Sequence, residues 1–319
     1  MLEIYMVVGF MLAAYSIIAN DAIQTLGTFI SSNSNRPWWI LWLFASSVLV
    51  VVLLYGWYSS TTGDASYGRL EKIPFPEEGL TWLYIVPPIV ILILTRFSIP
   101  VSTTFLVLSI FAPSNLGSML VKSLMGYAVA FVAAILLFRF VIRGLTEHFD
   151  RTAGQPAPGY WIILQWLATA FLWSQWLIQD LANIFVYAPR QVTADWMIFA
   201  VVTFVALLGV IFYHSGGAIQ RIVTSKTGTR DIRAATIIDF IYALVLLVFK
   251  EWSNMPMSTT WVFLGLLAGR EFAIAMHMFN PSVHDTAKIV RSDAAKAGLG
   301  LAISVLLALG LPWFYSVIS

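Results

Sequence analysis

The chain has 319 residues, 59% of them hydrophobic and 11% charged, with a formal net charge of +2 and no cysteine. Those proportions lie far from the soluble average and belong with polytopic membrane proteins. They exclude a disulfide framework, thiolate chemistry and a Cys-ligated metal, and the scattered basic residues carry no nucleic-acid footprint.

Apolar segments near 1–32, 38–58, 79–97, 99–113, 118–142, 159–188, 195–214, 234–252, 256–279 and 296–317 predict about ten membrane segments, since a helical crossing takes about 20 residues. Period-two alternation is absent, which argues against a barrel. The first segment has no positive n-region and carries Glu3, so it is expected to be a retained helix and not a signal peptide. Within it Ser16, Asn20 and Gln24 are four apart and form a polar stripe, with Asp21 beside it. The loop 59–78, with Asp64, Glu71, Glu77 and Glu78, follows the second segment.

The fourth segment opens with "PVSTT" at Pro100–Thr104. Proline disfavours helix in the residue before it, yet it suits a first turn, while Ser and Thr are good caps. A helix starting near Ser102 therefore offers free N–H groups, the positive end of its dipole and a cluster of hydroxyls, which together make an anion cradle. The alternative is a kinked membrane helix whose hydroxyls bond back to its own carbonyls.

The second half repeats these landmarks. "IANDAIQTLG" (18–27) maps onto "LIQDLANIFV" (177–186) at an offset of 159, placing Asp21 over Asp180, and "PVSTT" maps onto "PMSTT" (256–260) at an offset of 156. The second stripe is Gln175, Gln179 and Asn183, with Asp180 beside it. Amides and a carboxylate supply oxygen ligands for a hard cation. An intramembrane acid costs about 2.5–3.5 kcal/mol on insertion scales and so marks a pathway or site, or else pairs with a donor to hold helices together. The expected fold is an all-α polytopic membrane protein of two repeats, 1–150 and 151–319. With five crossings each, the repeats are inserted in opposite senses and contain discontinuous helices.

Lys and Arg set the orientation. Arg139, Arg143 and Arg151, then Arg221, Lys226, Arg230 and Arg233, then Lys288, Arg291 and Lys296 fall on one side with Arg36 and Arg96, and both termini are expected outside. Lys122, Lys250, Arg270 and Glu271 are read as snorkelling or locally paired. Asp239, at the head of the eighth segment, is either a second cation ligand or a helix-start carboxylate. The thirteen Trp are read mainly as interfacial anchors or lipid-facing bulk. His148, His214, His277 and His284 have no metal-ligand spacing.

At "ANDAIQTLGT" (19–28), "IQDLANIFV" (178–186), "RFSIPVSTT" (96–104), "MPMSTT" (255–260) and "GGAIQRIVTSKTGTRDIRAATIIDF" (216–240), the chain resembles the inorganic phosphate transporter family. Gln24 and Gln179 stand where that family has Asn, and Phe105 and Trp261 follow the S-T-T where it often has His. The resemblance implies symport of phosphate with sodium or protons across the cell's inner membrane. It implies no other cofactor and no enzymatic activity. By position, Ser102, Thr103, Thr104, Ser258, Thr259 and Thr260 would contact the anion. Asp21 and Asp180 would serve both anion and cation, with Asn20, Gln24, Gln179 and Asn183 on the cation. The partners expected are phosphate or a similar oxyanion and the lipid bilayer, with a second copy of the chain as a further candidate.

Coupling follows from the charges so counted. Two helix starts supply about one positive charge, against up to two on phosphate and two on the aspartates, so a cation or proton has to enter with the anion. Hydrogen phosphate donates a proton to an ionised carboxylate where sulfate cannot, which favours phosphate over sulfate. A membrane-embedded phosphatase or phosphotransferase would need a nucleophile with an adjacent base, or a metal, and has no use for a duplicated kit of opposite polarity.

Overall fold

Proline and cap residues decide where the apolar runs break into helices. The computed structural model describes residues 2–97, 99, 101–137, 158–215, 231–252, 257–277 and 283–318. Pro100, Pro256 and the basic residues Arg139, Arg143, Arg151, Arg221, Lys226 and Arg230 lie outside that set, as do the side chains of Asp21 and Lys250. The helices are α1 (Leu2–Ile17), α2 (Ile23–Ser32), α3 (Trp38–Ser59), α4 (Val86–Arg96), α5 (Thr103–Phe111), α6 (Leu116–Leu137), α7 (Tyr160–Asp180), α8 (Ala182–Phe185), α9 (Ala194–Tyr213), α10 (Ile232–Trp252), α11 (Thr259–His277) and α12 (Val283–Ile318). No strand occurs among the described residues.

Six of these helical stretches are long and apolar enough to cross a membrane, and the chain is an integral membrane protein. A seventh arises if α1 and α2 are taken together; they bend by 51° across a π-helical turn at Ile18–Ala22, on the Asn20–Asp21 pair. The run 79–113, expected as two crossings, forms α4 and α5, which have 11 and 9 residues. At 1.5 Å per residue, α5 spans about 14 Å, half of a hydrocarbon core about 30 Å thick, so it does not cross alone.

The packing comes in matched sets. α1 lies on α4 and α7 on α10; α5 on α12 and α11 on α6; α1 on α9 and α7 on α3; α3 and α9 face each other. Exchanging α1, α3, α4, α5 and α6 for α7, α9, α10, α11 and α12 interchanges these pairings and leaves α3–α9 as it is.

The α6–α11 pair shows why such helices approach closely. The two run parallel, with the Ser258 N–H bonded to Ser123 Oγ at 2.9 Å at the start of α11. Further along, Gly265 and Gly269 pack against the carbonyl oxygens of Tyr127 and Phe131, where any Cβ would collide. This is the small-xxx-small packing of membrane helices, carried by "GLLAG" (265–269). Trp173 and Trp176 depart from the anchor role expected of tryptophan: both are buried, stacked at 4.9 Å, and Trp173 donates to the Ala45 carbonyl at 3.0 Å.

Candidate functional site

Both P-x-S-T-T stretches start helices, and Ser is the cap in each. Ser102 Oγ accepts from the Phe105 N–H at 3.2 Å, and Ser258 Oγ accepts from the Trp261 N–H at 3.3 Å. Each such bond satisfies one of the first-turn N–H groups that a helix leaves open. The two starts are buried and meet. Thr104 donates to the Met257 carbonyl at 3.1 Å, and Thr260 donates to the Val101 carbonyl at 3.2 Å. These bonds are reciprocal: each hydroxyl clasps the backbone just ahead of the other helix. The hydroxyls therefore bond across the halves, where the kinked-helix alternative would have them bond back to their own carbonyls.

The second acid–amide kit joins this junction. Asn183 Nδ2 donates to Asp180 Oδ1 at 2.7 Å, to Thr103 Oγ1 at 3.2 Å and to Thr104 Oγ1 at 3.3 Å. The Thr104 and Thr259 hydroxyls approach the Asp180 carboxylate. Asp180 and Asn183 are fully buried, and α7 ends at Asp180 so that Asn183 stands one turn on, in α8. Three buried oxygens here, Gln179 Oε1, Asp180 Oδ2 and Asn183 Oδ1, have no hydrogen-bond donor. Carboxylate and amide oxygens of this kind are the ligand type that a hard cation takes.

The first kit reaches the same junction from the other side. Asn20 donates to the Val101 carbonyl at 3.3 Å and accepts from Thr95 Oγ1 at 3.3 Å, so Val101 is held by Asn20 and Thr260 together. Gln24 Nε2 turns to the Asn20 carbonyl at 3.5 Å. The Asp21 backbone lies in the π-helical turn, while its side chain is outside the described residues. Gln179, the positional match of Asn20, does not repeat the Asn20 bond. Its longer side chain donates to the Leu246 carbonyl on α10 at 3.2 Å. Ser16 bonds back to the Ala13 carbonyl at 3.1 Å, and Gln175 is buried.

Two buried charges differ from their sequence reading. Asp239 is not at the helix start; it sits two turns into α10, fully buried. Its oxygens accept from Thr28 on α2 and, at 2.7 Å, from Thr169 on α7. Gln165 and Asn33 extend this polar chain through bonds of 3.1 and 3.0 Å. Lys122 is buried instead of snorkelling to the surface, whereas Arg270 and Glu271 do pair locally at 3.1 Å.

Arg69 carries no sequence signal of burial, because its loop reads as solvated. It is buried, and its charge interacts with those of Asp180 and Lys122. The charge balance drawn from two helix starts and two aspartates therefore omitted two basic side chains.

Comparison with known proteins finds no matching family model and no match among curated proteins. Among solved structures, the chain is similar to one described as "The sodium-dependent phosphate transporter", at 16% identity and a TM-score of 0.61. The similarity covers 100% of this chain and 99% of that one. At this identity the likeness is one of fold, and it runs end to end.

Proposed function

We propose that the protein is a secondary active transporter that carries inorganic phosphate inward together with sodium or protons. One observation carries the reading: two capped helix starts from opposite halves clasp each other reciprocally, in a buried junction that also holds Asp180 and Asn183. Helix starts with free N–H groups and hydroxyls suit an oxyanion. The donor-less oxygens of Gln179, Asp180 and Asn183 suit a cation beside it. A fold shared with a sodium-dependent phosphate transporter supports the same reading.

In this proposal 1–150 and 151–319 are inverted repeats, a reading supported by the matched packing pairs and by α5, which is too short to cross alone. Both termini then face outward and the loop 59–78 lies on the outer side of a cell's inner membrane. Ser102, Thr103, Thr104, Ser258, Thr259 and Thr260 form the anion cradle. Asn20, Asp21, Gln24, Gln179, Asp180 and Asn183 hold the cation, with both acids near the anion. Where no cation stands between them, the Asp180 carboxylate accepts the proton that hydrogen phosphate still carries and sulfate lacks, which favours phosphate.

Uptake of labelled phosphate and sulfate into proteoliposomes, each under an imposed sodium or proton gradient, tests the proposal. Gradient-dependent accumulation of phosphate is expected. Accumulation of sulfate alone would reassign the substrate, and no gradient-dependent accumulation of either anion would reject transport.

A further inference from the structure

The loop between α3 and α4 is built to carry one basic side chain inward. Asp64 sets its turn: Oδ1 accepts from the Ser66 N–H at 2.7 Å and from the Ser66 hydroxyl, and Oδ2 accepts from the Gly68 N–H at 2.8 Å. Tyr67 and Gly68 then take φ values of 58° and 76°. The left-handed region is ordinary for Gly68 and costly for a bulky residue, so its occupation by Tyr67 is enforced by the surroundings. The Tyr67 hydroxyl anchors it, donating to the Val52 carbonyl at 2.6 Å. Burial pushes that phenol up to about 12, so it remains a donor. The loop is tied down further along by Arg190, which donates to the Ile73 carbonyl at 3.0 Å, and by Asn115, which donates to the Lys72 carbonyl at 2.8 Å.

The residue delivered by this turn is Arg69. Its side chain is 1% exposed, and Nε and Nη1 have no hydrogen-bond partner. Burial lowers the guanidinium to about 10 while the Asp180 charge opposes the fall, so it is a cation at neutral pH. Its charge is felt by Asp180 and by Lys122, the neighbour of the Ser123 that holds the Ser258 N–H. Arg69 is thus the basic side chain whose charge acts on the Asp180 carboxylate at the junction. A buried guanidinium with open N–H groups needs an acceptor, and its planar fork matches two oxygens of a tetrahedral oxyanion.

We propose that Arg69 is a ligand of the transported phosphate, reaching in from the loop to grip the anion held at the Ser102 and Ser258 helix starts. The inference rests on the transport reading given above. It adds a fixed positive charge to the site, so one counter-ion fewer is needed to offset the anion than helix dipoles alone would require.

The test compares phosphate uptake in proteoliposomes for the full-length wild type, Arg69→Gln and Arg69→Lys. Arg69→Gln is expected to raise the KM for phosphate by about 10- to 100-fold, the range for losing a charge-assisted bond, and to steepen the sodium dependence. Arg69→Lys, which keeps the charge and loses the fork, is expected between the two. An arginine that only braced the loop would lower yield or maximal rate and leave KM in place. A wild-type KM in folded Arg69→Gln overturns the inference, and if that variant does not fold, a wild-type KM in Arg69→Lys does so. No gradient-driven uptake by the wild type overturns the transport reading and this inference together, whereas wild-type uptake with unmoved KM in the variants sinks this inference alone.

Discussion

Replacing Asp180 by Asn removes one charge and almost no volume from the centre of the junction. The side chain is fully buried, and Oδ1 already accepts an amide N–H from Asn183 at 2.7 Å, a bond that an Asn carbonyl can still accept. The perturbation is therefore electrostatic. Two unit charges about 4 Å apart interact by roughly 4 kcal/mol at an effective dielectric near 20. Losing that attraction weakens cation binding by roughly 10³-fold, at about 1.4 kcal/mol per tenfold. The same change removes a negative charge from beside the anion, so phosphate should bind with less need for sodium. In proteoliposomes the variant is expected to exchange internal for external labelled phosphate at equilibrium, yet to fail to concentrate it under a sodium gradient. Its elution profile and thermal unfolding should match the wild type. Sodium-driven accumulation at the wild-type sodium concentration dependence would refute the assignment of Asp180 to the cation.

Gly265→Ala or Gly269→Ala forces a methyl group against the α6 backbone at Tyr127 or Phe131, and overpacking of this kind costs about 1–3 kcal/mol; thermal unfolding in detergent should drop, and an unchanged melt would contradict the packing. Thr104→Val and Thr260→Val each remove the hydroxyl that clasps the other helix start, at about 0.5–1.5 kcal/mol per hydrogen bond, and Thr104→Val also removes an acceptor of Asn183. Because the two bonds hold the same junction, the double variant should lose measurably less or more than the sum of the two, and strict additivity in a thermal or denaturant melt would count against coupling. At the start of α10, burial raises the Asp231 carboxyl, but the side-chain and backbone bonds from Arg233 outweigh it and hold it below its ordinary 3.8. The stabilisation is therefore full above 3.8 and lost as pH falls through the lower folded value, so the gap in unfolding temperature between wild type and Arg233→Gln should close on acidification.

How far the sequence revealed the molecule depended on whether a feature is local. A helix start is local: proline, a serine cap and two threonines lie within five residues, so the starts of α5 and α11 could be placed near Ser102 and Ser258. The meeting of those starts could be inferred because the same cassette occurs twice. The crossing count was less legible. Hydropathy sums apolar character along 79–113 and does not register that the run divides into helices of 11 and 9 residues. Of the two readings of Asp239, the helix-start carboxylate does not hold, because the helix begins at Ile232 and is already in its third turn at the acid. Arg69 was invisible because a charged residue in a charged loop reads as solvated, and only tertiary packing turns it inward. The one local hint was the Asp64, Ser66 and Gly68 pattern just ahead of it, which marks a tight turn.

The mutual clasp of Thr104 and Thr260 bears on how the molecule could ever change shape. Each helix start is both the holder and the held, so drawing the two apart breaks both grips. A rocking displacement of one half would have to undo both grips in a single event, like a double latch with one handle. Such a latch leaves little room for a half-released form.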